Sequence, residues 1–161
     1  LLKEISEALP QMEAQVGRKL KPLKLYTHNP TPFLPKVENM GTIHYMKEMP
    51  LVFRHSKINL NITLRSIING IPLRAIDIMG AGGFLLTNYQ NDFQYHFEDG
   101  KDYVSFYSKE DMLNKIAYYL EHEDERKQIA HNGQEKVCKE HTYDIHLKEM
   151  LDLVFDHTDP F

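Results

Sequence analysis

The chain has 161 residues and a net charge of -4, a length typical of one domain and a charge that argues against a nucleic-acid partner. Hydrophobic residues make up 42% of the sequence and charged residues 26%, as in a soluble globular domain, and no apolar run reaches the ~20 residues of a membrane span. The single cysteine, Cys138, excludes an internal disulfide framework and indicates a reducing, cytoplasmic location.

The first half of the chain predicts one long helix followed by short elements. Apolar residues at helical spacing predict a helix over 2–16, which we expect Pro10 to kink or split. Alternating residues predict a strand over 23–27, and three prolines predict a loop over 28–35. The next predicted elements are a brief strand, a helix that contains Pro50 and a further strand, at residues 37–40, 45–55 and 57–63.

The second half predicts alternating helices and strands. Pro72 suits the first position of a helix, and the continuous apolar run at 84–87 is typical of a strand covered on both faces. Ser108, with Asp111 three residues later, predicts the cap of another helix, and Thr142 the cap of the last one. The predicted bounds are 66–71 for the turn before Pro72, 72–79 for that helix, 89–97 for a short helix, 102–106 for a strand, and 124–138 and 143–155 for the last two helices.

The order of these elements predicts the fold class. Strands alternate with helices at a spacing that favours parallel strands joined by right-handed crossovers. No repeat, low-complexity tract or long linker divides the chain. We therefore predict one α/β domain over residues 1–161, a Rossmann-like three-layer domain with a parallel sheet and additional helices at the C-terminus.

The segment Asn69–Thr87 is the part of the sequence most informative about chemistry. It runs from a turn through a helix and a glycine-rich stretch into a buried strand. A helix that begins behind Gly70 presents unpaired backbone N–H groups and the positive end of its dipole, which favour a phosphate. Pro72 has no N–H group. The backbone donors at this helix start would belong to Ile71, Leu73 and Arg74.

Asp77 lies more than one turn further along the predicted helix, where a carboxylate could accept hydrogen bonds from the two hydroxyls of a ribose. A phosphate at the helix start and a ribose on this acid together predict a nucleotide site. The alternative is that the glycines form only a tight turn and that Asp77 is solvated or paired with Arg74. The lack of a Walker pattern, and of Gly-x-Gly-x-x-Gly after the first strand, argues against ATP and NAD.

Other chemistry-bearing residues form weaker patterns. The nine histidines are scattered, and His141 and His146 stand five apart rather than the four of a helical pair of metal ligands. No metal site is therefore predicted, and the histidines are interpreted as surface and core residues. Cys138 is interpreted as structural, and no Gly-x-Ser-x-Gly motif supports a serine nucleophile.

Five segments, taken in chain order, resemble those of one known family. They are Glu-Met-Pro at 48–50, Asn-Leu-Asn at 59–61, the run from Arg74 to Thr87, the run from Phe97 to Val104, and the stretch from Tyr119 to Tyr143. In this combination the chain resembles the C-terminal domain of group 1 glycosyltransferases with the GT-B fold. It is most similar to the branch of CgeB-type spore-maturation proteins, and the resemblance covers most of the chain from Leu23 onward.

The resemblance implies an enzyme built from two Rossmann-like domains that face a cleft. The C-terminal domain binds a nucleotide-diphosphate sugar as the donor substrate, and such enzymes need neither a metal ion nor a cofactor. The implied partner is the N-terminal, acceptor-binding domain of the same protein, which this chain lacks. We therefore expect a piece of a longer protein, as an opening without methionine also suggests, that binds donor but hardly catalyses transfer by itself.

The resemblance also implies roles for particular residues. Asp77 stands where an acid, more often Glu, holds the ribose hydroxyls of the donor. Retaining members commonly carry Glu-x7-Glu, and Asn69 stands in place of the first Glu, which reaches the donor sugar. The charge at the sugar is therefore absent, and the donor sugar and the stereochemical course stay open. The other implied contacts are Gly70 and Ile71 at the phosphates, Met40, Gly41 and Thr42 at the base, and Arg65 and Arg74 as basic residues near the leaving diphosphate.

Two other functions remain open from the sequence alone. A non-catalytic interaction module that keeps the fold but has lost the donor site would account for Asn69 and for the missing half. A nicotinamide-dependent oxidoreductase rests only on analogy between folds, and it ranks last.

Overall fold

A computed structural model describes residues 2–27, 33–63 and 69–155. Its helices are α1 (Leu2–Val16), α2 (Met49–His55), α3 (Leu73–Gly80), α4 (Lys109–Glu121), α5 (Glu123–Glu140) and α6 (Tyr143–Phe155). Its strands are β1 (Leu23–Tyr26), β2 (Val37–Gly41), β3 (Asn59–Asn61), β4 (Leu85–Asn88) and β5 (Val104–Phe106), and a 3-10 helix spans Asn91–Tyr95. No helix in these ranges combines the length and the apolar character that crossing a membrane requires.

The strands of the described ranges pair in parallel. β1 pairs with β2, and a second sheet contains β3, β4 and β5 in that order. A parallel pair needs a crossover between its strands, and α3 lies between β3 and β4 in the chain. The predicted α/β class with parallel strands is confirmed, although the described strands divide between two sheets.

Helices cover both faces of the three-stranded sheet, whose central strand is β4. Leu85 belongs to the same buried apolar cluster as Ile78 of α3. Leu86, the next residue, faces the opposite way and belongs to a cluster with Met112 of α4 and Ile5 of α1. The prediction that this strand is covered on both faces is therefore confirmed, because successive side chains of a strand point to opposite faces.

Helix α1 is continuous from Leu2 to Val16, so the expectation that Pro10 splits it is wrong. Pro10 is exposed, whereas Leu9 and Met12 are buried in a cluster with Ala117 of α4. Burying each of these two side chains stabilises the fold by about 1.5–3 kcal/mol. Together they offset the cost of an interior proline, about 3 kcal/mol.

Two predicted helices begin later than expected, in each case near a proline. The helix predicted over 45–55 is present only as α2, which begins at Met49 with Pro50 in its first turn, and residues 45–48 form turns. Pro72 precedes α3 instead of opening it, because its ψ of 133° is extended. A proline lacks the N–H group that the interior of a helix uses, so it fits at a helix start.

The C-terminal half follows the predicted elements closely. The N–H of Asp111 donates to Oγ of Ser108 at 3.1 Å, so the predicted cap of α4 is confirmed. Helix α6 has the predicted bounds, and the N–H of Ile145 donates to Oγ1 of Thr142 at 3.4 Å. Parts of the predicted loop and of the predicted turn lie outside the described residues, at 28–32 and 64–68.

Candidate functional site

Helix α3 buries one side and presents the other to solvent. Ala75 and Ile78 are at most 1% exposed, whereas Leu73 and Arg74 are exposed and Asp77 is half-buried. Among the described residues, no side chain caps the N-terminus of this helix. The N–H of Ala75 donates to the carbonyl of Pro72 at 2.8 Å, so the N–H groups that this helix start would offer an anion are those of Leu73 and Arg74.

Gly70 ties the loop before α3 to the segment after β4. Its φ of +93° lies in the left-handed region that favours glycine, and its N–H donates to Oδ2 of Asp92 in the 3-10 helix. Ile71 is half-buried against the apolar cluster under α3, and Asn69 is exposed. Because the N–H of Gly70 already has a partner, donors to a phosphate would come from α3 itself. Arg65 lies outside the described residues.

The carboxylate of Asp77 contacts a residue to which the sequence did not point. The hydroxyl of Tyr45 donates to Oδ2 of Asp77, and this hydrogen bond, with some burial, raises the pKa of Tyr45 to about 12. In the described part of the chain, Asp77 and Arg74 form no ion pair. The alternative that these two residues pair along the helix is therefore wrong. The contact joins α3 to the turn at 45–48.

The segment that follows β2 is brought to α3 by this contact. Gly41 ends β2 with a φ of +72°, and its N–H donates to Oδ1 of Asn39 at 2.9 Å. Thr42 follows and is exposed, and Tyr45 comes three residues later. The two segments that the sequence singled out, one around Gly41 and one around Asp77, therefore meet in space.

Two stacked tyrosines lie at the carboxyl ends of the sheet and were missed by the sequence analysis. Tyr89 directly follows β4 and Tyr107 directly follows β5, with ring centroids 4.8 Å apart and an angle of 24° between the ring planes. Nζ of Lys115 lies 5.7 Å from the centroid of the Tyr107 ring. Ligands of open parallel sheets bind at the carboxyl ends of the strands. The signal that could have found both rings is their place close after two predicted strands, since Tyr89 lies two residues after the strand at 84–87 and Tyr107 directly after the strand at 102–106.

The C-terminal histidines are less scattered than the sequence suggested. Nδ1 of His146 lies 3.0 Å from Oε2 of Glu149, and because a carboxylate only accepts, this nitrogen donates. Nε2 of the neutral His146 ring then accepts from Nδ1 of His141 at 3.3 Å, and the ring of His96 lies 5.2 Å from that of His141. Over the described ranges, no group of three or more His, Cys, Asp or Glu side chains could hold a metal ion. These imidazoles form a hydrogen-bonded junction between α5 and α6.

Acidification is expected to destabilise the chain through His141. Burial, followed by the neighbouring imidazoles of His96 and His146, holds the pKa of His141 below 6.5. As the pH falls, the unfolded chain takes up the proton first, so the free energy of unfolding decreases from about pH 6.5 until the folded pKa is passed. Thermal unfolding at neutral and mildly acidic pH measures the decrease. It should be smaller in His141→Gln than in the control His131→Gln, and equal decreases would contradict the assignment.

The family of the chain is given by comparison with known proteins. Residues 2–152 match the model of the glycosyl transferase-like family, so the chain belongs to that family. None of the curated proteins compared with it matches. The match covers nearly the whole chain, and the parallel α/β architecture agrees with a Rossmann-like glycosyltransferase domain. The general chemistry of the family is glycosyl transfer.

Proposed function

We propose that this chain is the donor-binding domain of a metal-independent GT-B glycosyltransferase and that it binds a nucleotide-diphosphate sugar at the start of α3. The observation that supports this most directly is the contact of Asp77 with Tyr45, from the segment after β2, 32 residues away in sequence. The pattern around Asp77 points to the ribose, and the family resemblance implies that the segment around Gly41 binds the base. In a nucleotide the ribose lies between the base and the phosphates. The segment around Gly41, Asp77 and the start of α3 would bind the base, the ribose and the phosphates in that same order.

The donor phosphates are assigned to the uncapped start of α3. The dipole and the first-turn N–H groups favour an anion there, and the exposed Arg74 adds a positive charge. Fixed donors and charge of this kind stabilise a leaving diphosphate without a metal ion. The loop at Gly70 and Ile71 then borders the phosphates without a donor from the Gly70 N–H, which already donates to the 3-10 helix, and Arg65 belongs to the same proposed group. Asn69, which is exposed and uncharged, is assigned to the donor sugar.

The proposal takes this domain as the C-terminal half of a larger enzyme of the CgeB-type branch. Membership of the glycosyl transferase-like family supports glycosyl transfer in general. The motifs of the segment Asn69–Thr87 and of the C-terminal helices support the finer placement. The catalytic base and the acceptor site then belong to the other half, and we expect this chain alone to bind donor without turning it over.

The Asp77→Asn variant is expected to bind its nucleoside diphosphate about 10- to 100-fold more weakly than wild type. Asparagine keeps the shape of the side chain and removes the charge, and a hydrogen bond to a charged group is worth about 1.5–3 kcal/mol. A thermal-shift titration with UDP, GDP, ADP, CMP and TDP identifies the ligand, and calorimetry then gives both dissociation constants. Asp152→Asn changes an exposed carboxylate of α6 and is the matched control.

The outcomes of this titration separate the candidate functions. Selective stabilisation by one diphosphate, about 2.7 kcal/mol at 100 times its Kd, supports a donor domain and identifies the base. No response to any nucleotide by the folded chain contradicts the proposal and favours an interaction module. Equal affinity of wild type and Asp77→Asn contradicts only the role of Asp77.

A further inference from the structure

We propose that the hydroxyl of Tyr45 occupies, on Asp77, the place of one ribose hydroxyl, and that a ribonucleotide binds by displacing it. The contact between these two side chains is the observation that carries the inference. The inference rests on the proposed function and adds to it a residue that lowers the affinity of the site for a ribose with two free hydroxyls.

Asp77 would accept hydrogen bonds from both hydroxyls of a ribose. A carboxylate presents two oxygens, and a vicinal diol held by both of its hydroxyls uses both oxygens. Oδ2 of Asp77 already accepts the hydroxyl of Tyr45. A carboxylate oxygen has a second lone pair, but the ring of Tyr45 takes up the space beside Oδ2 when its hydroxyl donates there, so the second hydroxyl of the diol competes with the tyrosine for this position.

The side chain of Tyr45 can move away from Asp77 at a low cost in free energy. Tyr45 is 52% exposed, and every residue of the segment 44–48 is exposed. The turn is held by its own hydrogen bonds, because the N–H of Glu48 donates to the carbonyl of His44 at 2.9 Å and the N–H of His44 donates to Oε2 of Glu48 at 2.6 Å. When the tyrosine side chain rotates away, the turn keeps these hydrogen bonds, and the hydrogen bond that is lost is the one to Asp77.

Arg74 adds a positive charge that acts on the hydroxyl of Tyr45. The positive charge of Arg74 opposes the rise in the pKa of Tyr45 that Asp77 causes, so the guanidinium acts on the same hydroxyl. Arg74 and Asp77 stand three residues apart on α3 and so share one face of the helix, which would place the ribose of a ligand whose phosphates lie at Arg74 next to the carboxylate that Tyr45 occupies. One turn of α3 carries the cation and the acceptor, and the hydroxyl that must leave comes from the turn at 45–48.

The Tyr45→Phe variant is expected to bind the preferred nucleoside diphosphate about 10-fold more tightly than wild type, because the hydrogen bond of Tyr45 to a charged carboxylate no longer has to be broken. The 2′,3′-dideoxy analogue of the same nucleotide carries no diol, and it should bind equally to both proteins. Calorimetry with the two nucleotides measures the four dissociation constants. Tyr95→Phe removes a hydroxyl from a tyrosine that is 75% exposed in the 3-10 helix, and this control should match wild type.

Each outcome decides the inference. A gain in affinity confined to the nucleotide with a diol, and to Tyr45→Phe, supports displacement, and binding by Tyr45→Phe alone supports it further. If wild type binds and Tyr45→Phe binds equally or more weakly, displacement is wrong while the proposed function stands. If neither protein binds any nucleotide, both the inference and the proposed function are overturned.

An ultraviolet pH titration of the phenol tests the same contact by another route. Asp77→Asn removes the negative charge beside the hydroxyl, so the pKa of Tyr45 should fall from about 12 toward the ordinary value of about 10. Saturating nucleotide should lower it in wild type as well, because the phenol leaves the carboxylate. The difference between wild type and Tyr45→Phe isolates this tyrosine. A titration that nucleotide leaves unchanged would overturn the displacement.

Discussion

The Phe93→Ala variant is expected to lose about 3–5 kcal/mol of the free energy of unfolding. Phe93 lies in the 3-10 helix after β4 with its side chain 0% exposed, and its ring centroid is 4.7 Å from that of Tyr103 and 6.1 Å from that of Phe97. Truncation leaves a cavity among aromatic rings that are themselves held by the sheet. Since domains have a total stability of about 5–15 kcal/mol, the loss is a large share of it.

Urea unfolding followed by circular dichroism measures the loss caused by the Phe93 truncation. The control is Tyr95→Ala, on the same 3-10 helix, where a 75% exposed side chain should cost little. Asp92, which holds the N–H of Gly70, is the neighbour of Phe93 in sequence. We therefore expect nucleotide affinity to fall more in Phe93→Ala than in the control, and equal stability of the two variants would show that the cluster repacks around the gap.

The Gly133→Ala variant is expected to be about 2 kcal/mol less stable than wild type, whereas this change normally stabilises a helix. Inside an exposed helix, glycine to alanine normally stabilises by about 1 kcal/mol. At this position in α5, the new Cβ would lie 2.3 Å from the carbonyl oxygen of Asp102 and 3.4 Å from Sδ of Met79. A backbone oxygen cannot rotate away, so α5 must move away from the backbone of Asp102, and overpacking of this kind costs about 1–3 kcal/mol.

Gly80→Ala, in α3, is the matched control for the Gly133 variant. A Cβ at residue 80 would lie 3.3 Å from Cγ1 of Val137, a side-chain atom that can shift by a few tenths of an ångström. Its stability should stay within about 1 kcal/mol of wild type, because helix propensity offsets the tight contact. Thermal unfolding of both variants measures their stability relative to wild type. A stabilised Gly133→Ala would contradict the close approach of α5 to Asp102.

Local patterns in the sequence were sufficient to predict most of the elements. The bounds of α6 and the Ser108 cap depend on residues a few positions apart, and the burial of β4 depends on a short apolar run. The predicted start of α2, at residue 45, is wrong. An apolar periodicity continues across residues 45–48, whereas Pro50 fits only the first turn of a helix. The low helix propensity of proline predicted a break in α1 at Pro10, whereas the packing of α1 against α4 keeps the helix continuous.

The candidate site was predicted only in part, because its contacts are tertiary. The helix start and Asp77 carry a recognisable local pattern. The partners that complete them, Tyr45 on Asp77 and Asp92 on Gly70, lie 32 and 22 residues away. No spacing rule within one element identifies such partners. An exposed tyrosine also gives no hydrophobic signal that separates it from the other exposed aromatic residues.

The firm attachment of α3 bears on how the chain can evolve. Gln134 donates to the carbonyl of Gly80 at 3.2 Å at one end of this helix, and the loop before its other end is tied down through Gly70. Leu73 and Arg74 are exposed between these anchors, so substitutions there should change the free energy of unfolding by about 0.5 kcal/mol or less. A mutational library at these two positions can therefore search for new ligand preferences while selection for folding stays satisfied.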